Sequence, residues 1–154
     1  MIRNAIVVLF SICSISFAQG INALTIAASA PLRAKVGTTV DAKLPLQVLN
    51  GYHVQSNTPS DPYLIALKLT WNPGPLESTG VTYPKPQMEK YSFSETALSV
   101  FSGNFEVATK FKVPASAIPG PSAVTGKLRY QACNDNMCLP PKTIDVKLQV
   151  DIVR

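Results

Sequence analysis

Hydrophobic and polar residues alternate with a period of two over much of this chain, which is the pattern of strands with one buried and one exposed face. The alternation is clearest over residues 143–152, where every second residue is apolar. Strands are likewise predicted, in chain order, at 24–28, 38–49, 52–55, 63–71, 81–83, 105–113 and 124–131. Little of the chain shows a helical period, and its 13 prolines leave few uninterrupted segments of helix length.

Seven or eight short strands separated by Pro, Gly and Asn turns are typical of an all-β, antiparallel, immunoglobulin-like β-sandwich. The chain lacks the inter-sheet cysteine spacing of antibody domains, so the sequence predicts only that architecture. Pro45 falls in the middle of the strand at 38–49, and a proline has no N–H to donate to a sheet. We therefore expect an edge or a bulge at this position.

Residues 85–103 differ from the rest of the chain. They carry the aromatic residues Tyr91, Phe93 and Phe101, but their apolar positions follow no clean period. This pattern predicts a long loop between strands. Long loops in compact domains often serve as lids or binding loops.

The N-terminus has the layout of a secretory signal peptide. Arg3 supplies a positive charge, residues 5–17 are mostly apolar, and Ser16 and Ala18 are small side chains at the −3 and −1 positions of a cut after Ala18. We expect a signal peptide at 1–18 and one mature domain at 19–154. The alternative is an uncleaved N-terminal anchor. No later segment is long and apolar enough to span a bilayer, so the sequence predicts an exported protein, in a compartment where disulfides persist.

The charged residues give the chain a net charge of +5, but they are scattered along it. A nucleic-acid-binding surface would need basic residues clustered in one patch. The sequence therefore predicts no nucleic-acid partner.

Two cysteines, Cys133 and Cys138, lie in a predicted turn between two strands, whereas Cys13 leaves with the signal peptide. If the strand from residue 124 runs on unbroken, Cys133 shares the outward face of Lys127 and Arg129. A bond between the two cysteines would close a small ring, for which chain entropy gives only about 2 kcal/mol of stabilisation. The small gain and the exposed position favour a bond that opens and closes. Spacing alone leaves a structural staple and a redox pair about equally plausible.

A metal site is a third reading of this region. His53 is the single histidine of the chain, which excludes a copper site with two histidine ligands. A zinc site built on the two cysteines would lack clear third and fourth ligands. We expect no metal and no cofactor, and we interpret His53 as a partly buried residue of a strand.

Three landmarks, in order along the chain, resemble the N-terminal periplasmic domain of the thiol:disulfide interchange protein DsbD. They are the segment 51–65, the segment 91–103, and the cysteine motif that runs from Tyr130 to Lys142. The resemblance implies an immunoglobulin-like fold in the periplasm. It implies that Cys133 and Cys138 cycle between dithiol and disulfide, with the activity of a protein-disulfide reductase. Its implied partners are a membrane-embedded electron donor and thioredoxin-like periplasmic proteins.

The resemblance also implies an aromatic cap loop that shields the cysteines until a partner docks. On this chain Phe93 is the first candidate for the cap and Tyr91 the second. Glu89 or Glu95 is expected to be an acidic neighbour that tunes thiolate formation.

Two hypotheses follow from the sequence. The first is a stand-alone periplasmic exchange domain that relays electrons between partner proteins through a reversible Cys133–Cys138 disulfide. The second is a secreted β-sandwich adaptor in which the same disulfide is structural.

Overall fold

The structure, a computed structural model, describes residues 20–154, so the predicted signal peptide lies outside the described residues. The described residues form twelve strands and no helix. The strands are β1 (Leu24–Ile26), β2 (Leu32–Lys35), β3 (Thr39–Val48), β4 (His53–Gln55), β5 (Lys68–Trp71), β6 (Glu77–Thr82), β7 (Gln87–Glu89), β8 (Leu98–Phe101), β9 (Asn104–Lys112), β10 (Gly120–Tyr130), β11 (Ala132–Cys133) and β12 (Lys142–Val153).

These strands form three four-stranded sheets. Sheet 1 has the order β1-β3-β9-β6, sheet 2 has the order β2-β12-β10-β5, and the site sheet has the order β11-β4-β8-β7. Every strand pair is antiparallel except β2 with β12, which run parallel. The all-β class and the sandwich architecture predicted from the sequence are therefore confirmed.

Sheets 1 and 2 pack face to face and enclose the core. Along β12, Val146, Leu148, Val150 and Ile152 are buried while the residues between them are exposed. β3 and β9 bury alternate residues in the same way. One core cluster also includes residues of the site sheet, whereas the second is built mainly from sheets 1 and 2. The period-two pattern thus reports a real two-sheet core.

Pro45 lies inside β3, opposite Glu106 of β9 and in unbroken register. Its carbonyl accepts a hydrogen bond from the Ala27 N–H at 3.0 Å, just beyond the end of β1. In an antiparallel strand the N and the C=O of one residue point to the same side. The missing N–H of Pro45 therefore faces the place where β1 has ended, which is a local edge of an otherwise central strand.

Two segments depart from the predicted elements. The strand predicted at 63–71 forms only from Lys68, because the Asp61 carboxylate accepts a hydrogen bond from the Tyr63 N–H at 2.8 Å and holds a turn before it. The loop predicted at 85–103 contains β7 and β8, which pair with each other. All four residues of β8 are buried, so this strand has no alternation to detect. The loop itself is shorter and runs over residues 90–97.

Candidate functional site

The disulfide between Cys133 and Cys138 closes a short hairpin at one end of the sandwich. The hairpin turn is shaped by Asn134, whose side-chain oxygen accepts hydrogen bonds from the backbone N–H groups of Asn136 and Met137, both at 2.9 Å. The Asn134 N–H also donates to the Met137 carbonyl at 2.9 Å. This turn brings the two cysteines opposite each other as an antiparallel bridge.

The two sulfur-bearing residues differ in exposure. Cys133 is 0% exposed, whereas Cys138 is half-buried. The expectation that Cys133 lies on the outward face of β10 is wrong, because β10 ends at Tyr130 and the chain moves to the site sheet at Gln131. There the Gln131 carbonyl accepts a hydrogen bond from the Gln55 N–H at 3.0 Å. Face parity does not carry across such a change of sheet.

Gln55 touches the disulfide directly. Its Nε2 donates a hydrogen bond to the Cys133 Sγ at 3.3 Å, and the residue is fully buried. Its Oε1 has no hydrogen-bond partner among the described residues. Gln55 was not among the site residues predicted from the sequence. The available signal was a polar residue in a three-residue strand, β4, in which every position is buried.

An aromatic stack begins beside Cys133. His53, which is directly opposite Cys133 in the β4–β11 register, has its ring centroid 3.9 Å from that of Tyr91. The centroid of Phe93 lies 5.7 Å from that of Tyr91 and 6.5 Å from that of His53, so Phe93 sits beside this pair, and the three rings are nearly parallel. His53 is 3% exposed, more buried than the sequence suggested, and Phe93 is 37% exposed. Both predicted cap residues therefore lie on the loop 90–97 in one stack with His53.

Of the two predicted acidic neighbours, Glu89 belongs to this group of side chains. Its carboxylate accepts a hydrogen bond from the Tyr91 hydroxyl. Glu95 lies exposed on the loop, where its backbone carbonyl accepts a hydrogen bond from Lys90. A third acid, Asp135 of the hairpin, is joined to the loop because its carbonyl accepts a hydrogen bond from the Ser92 hydroxyl at 2.8 Å.

Burial sets the protonation of the stacked rings. Burial lowers the pKa of His53 below 6.5, and the charges of Glu89 and Asp135 oppose that shift. Burial also raises the pKa of the Tyr91 phenol, and the hydrogen bond to Glu89 raises it further. At neutral pH the stack therefore contains a neutral imidazole and a protonated phenol.

Two cavities flank the disulfide hairpin. A groove of about 520 Å³ is lined by His53, Glu89, Tyr91 and Asp135, among other residues. A second cavity of about 530 Å³ is mostly apolar and is lined by Tyr130, Leu139 and Pro140, among others. Within residues 20–154, no three His, Cys, Asp or Glu side chains come together as a metal site. None of the described residues forms a helix that could cross a lipid bilayer.

Comparison with known families agrees with the resemblance found in the sequence. Residues 23–150 match the family described as the N-terminal domain of the thiol:disulfide interchange protein DsbD. The matched region contains both cysteines, Gln55 and the whole aromatic stack. No curated protein sequence matches the chain at a significant level.

Several solved structures are similar to this chain, and two of them are N-terminal domains. The N-terminal domain of DsbD from Neisseria meningitidis, in its reduced form, shares 17% identity with a TM-score of 0.47, over 71% of this chain and 76% of that chain. The N-terminal periplasmic domain of ScsB from Proteus mirabilis shares 15% identity with a TM-score of 0.52, over 83% of this chain. The match covers 44% of the ScsB chain. The second likeness shows that the fold is shared.

Proposed function

The chain belongs to the family of DsbD N-terminal domains, and from this premise we propose that it relays electrons between partner proteins through the Cys133–Cys138 bond. The family is one of thiol-disulfide interchange domains. The observation that carries the proposal is the unequal exposure of the two bonded cysteines. A half-buried Cys138 gives a partner one sulfur to attack, while the buried Cys133 is protected from other thiols.

Reduction of the domain proceeds in two displacement steps. A thiolate of the electron donor attacks the Cys138 Sγ, the bond between the two cysteines breaks, and its electron pair leaves on Cys133 as a thiolate. The second thiol of the donor, after losing its proton, attacks the donor's own sulfur in the mixed disulfide and releases Cys138. The donor becomes a disulfide and this domain becomes a dithiol, so two electrons have moved.

Oxidation of the domain reverses the roles. The Cys138 thiolate attacks a disulfide of the acceptor, and the acceptor's second sulfur leaves as a thiolate. Cys133 then loses its proton and attacks the Cys138 Sγ, which restores the original disulfide and frees the reduced acceptor. The same exposed sulfur thus makes both mixed disulfides.

The loop 90–97 acts as the cap over this site. The stack of Tyr91 and Phe93 on His53 and the hydrogen bond from Ser92 to Asp135 hold the loop against the hairpin. These contacts are few and partly exposed, so a docking partner can replace them at a small cost in free energy. Glu89 fixes the Tyr91 ring through its hydroxyl, which makes Tyr91 as well as Phe93 a cap residue.

Family membership supports the further assignments. The donor is a membrane-embedded protein, and the acceptors are thioredoxin-like proteins of the periplasm. Residues 1–18 are the signal peptide that exports the domain to the periplasm. The catalysed reaction is that of a protein-disulfide reductase. Mixed-disulfide trapping with Cys133→Ser, which leaves Cys138 without its resolving partner, would identify these proteins by mass spectrometry.

The reduction potential of the cysteine pair tests the proposal. The protein is equilibrated in graded thiol-disulfide buffers, trapped by alkylation and weighed. A potential of about −180 to −270 mV, the range of known exchange proteins, is expected. A potential below about −300 mV would mark a structural bond and would leave the alternative, a β-sandwich adaptor.

A further inference from the structure

The buried sulfur of Cys133 becomes negatively charged during the exchange reaction. When a partner thiolate attacks Cys138, the electron pair of the broken bond appears on the Cys133 Sγ, in a residue that is 0% exposed. An anion formed in such a place has lost its hydration and is strongly disfavoured unless a protein group donates a hydrogen bond to it. The rate of the first step depends on how well this leaving thiolate is stabilised.

Gln55 is the side chain that meets this need. Its Nε2 lies 3.3 Å from the Cys133 Sγ, within hydrogen-bond distance for sulfur. A sulfur in a disulfide carries no proton and can only accept, so the amide of Gln55 must present its N–H to it. The opposite orientation of the amide would set two acceptors against each other.

The backbone holds Gln55 in place from both sides. Its N–H donates to the Gln131 carbonyl at 3.0 Å, and the residue is opposite Val100 in the register of β4 with β8. Its side-chain oxygen has no hydrogen-bond partner within residues 20–154. The contact with sulfur is thus the one side-chain hydrogen bond that this buried amide makes there.

We propose that Gln55 is a catalytic residue of the exchange reaction, whose Nε2–H stabilises the Cys133 thiolate as it leaves. The proposal rests on the proposed function. The hydrogen bond is weak while the sulfur is neutral and strengthens as charge develops, so it favours the transition state over the disulfide ground state. In the reverse direction it keeps a share of Cys133 as the thiolate that closes the disulfide.

The other polar groups near Cys133 do not supply this stabilisation. His53, across the strand pair, makes no hydrogen bond to this sulfur, and its Nε2 has no hydrogen-bond partner within residues 20–154. Glu89 and Asp135 line one groove with His53, and their negative charges oppose a nearby thiolate. An uncharged N–H donor is therefore the group that offsets them.

The first test measures the pKa of Cys133 directly. In a Cys138→Ser background, thiolate absorbance near 240 nm is followed against pH with and without Gln55→Met, which removes the donor and keeps a similar volume. We expect the pKa of Cys133 to rise by about one unit or more, since a hydrogen bond to an ion is lost. The same Gln55→Met change in a Cys133→Ser background is expected to leave the pKa of Cys138 unmoved.

The second test measures the rate. With both cysteines present, Gln55→Met is expected to slow reduction of the disulfide by dithiothreitol by about threefold to tenfold, because the leaving thiolate is more basic. Gln149→Met, at an exposed position of β12, is the matched control and leaves the rate unchanged. A purely structural role for Gln55 would change stability and move neither the pKa of Cys133 nor this rate.

The native protein supplies a readout that needs no variant at position 55. The side-chain amide resonances of Gln55 should shift on reduction and then follow the ionisation of Cys133 as pH is raised. Fixed resonances, or an unchanged pKa of Cys133 in Gln55→Met, would overturn the role of Gln55. If the wild-type pair instead proves to have a potential below about −300 mV, the proposed function itself fails. The two failures are therefore distinguishable.

Discussion

Sheet 2 and the site sheet use their buried positions differently. The two longest strands of sheet 2, β10 and β12, bury apolar residues in alternation along most of their length. The site sheet has short strands, and β4, β8 and β11 bury every residue. Four of the five buried polar residues found within 20–154 lie in or next to the site sheet, namely His53, Gln55, Ser56 and Ser99.

The difference shows how stability and chemistry are divided in this domain. Apolar residues supply most of the contact between sheets 1 and 2, to which the hydrogen bond from the Trp71 Nε1–H to the Thr109 hydroxyl at 3.0 Å adds a polar contact. In the site sheet, buried polar side chains contact one another and the disulfide, as in the bond of 2.7 Å between the Ser56 and Ser99 hydroxyls. Buried polar groups are costly in free energy unless they are hydrogen-bonded. Their concentration in the site sheet therefore indicates that this sheet is the functional region.

The largest expected effect is on exchange activity, and it comes from the cysteine pair. Cys133→Ser together with Cys138→Ser should abolish thiol-disulfide exchange, because no sulfur remains to carry the electron pair. The free energy of unfolding should fall by about 2 kcal/mol, since the closed ring is small. Exchange is measured with a disulfide substrate and stability by urea unfolding. Residual exchange in the double variant would contradict the proposed function.

The next effect is on stability alone. Leu148→Ala, in the core cluster built mainly from sheets 1 and 2, should cost about 2–5 kcal/mol because it leaves a cavity. The reduction potential of the cysteine pair should not change. Leu49→Ala, at a half-exposed position, is the matched control and should cost much less. A shifted potential in Leu148→Ala would break the division between the two regions.

A smaller effect is expected from the cap. Phe93→Ala should speed alkylation of the reduced cysteines by about 2- to 10-fold, because an aromatic contact worth about 0.5–1.5 kcal/mol is lost. Tyr91→Ala should have the larger effect, since its ring contacts both His53 and Phe93. Ile118→Ala, on the loop between β9 and β10, serves as the control. An unchanged rate in both aromatic variants would remove them from the cap.

The smallest effect is a pH dependence of stability. Because the pKa of His53 is lower in the folded protein than its unfolded value of about 6.5, the unfolded chain binds a proton more readily. As far as His53 is concerned, the free energy of unfolding has its full value above pH 6.5, and it decreases as pH falls through 6.5. Urea unfolding at pH 7.5 and 5.5 measures the decline, and His53→Gln should reduce it. His53 is the single histidine of the chain, so an equal decline in that variant would exclude this cause.

The sequence predicted the sandwich well and the site less completely, for a physical reason. Period-two alternation reports a strand with one wet face, so β3, β9, β10 and β12 were visible. The alternation cannot report β8, because both faces of that strand are buried. It also placed Cys133 on the wrong face, because the chain changes sheets at Gln131. Cys133 and Cys138 were visible as the close cysteine pair of a predicted turn, whereas their redox cycling and the cap residues were predicted from the family resemblance. Gln55 was missed because its partner sulfur lies 78 residues away in the chain.

The change of sheet at Gln131 has a consequence for local unfolding. Cys133 lies in β11, a strand of the site sheet whose two residues are both buried, whereas Cys138 follows an exposed turn. Amide protons of buried strands exchange with solvent only through large openings of the molecule, and those of exposed loops exchange through small ones. The boundary between slow and fast hydrogen exchange should therefore lie between the two bonded cysteines. Cys133 stays fixed in the domain, whereas Cys138 can move together with a docked partner protein.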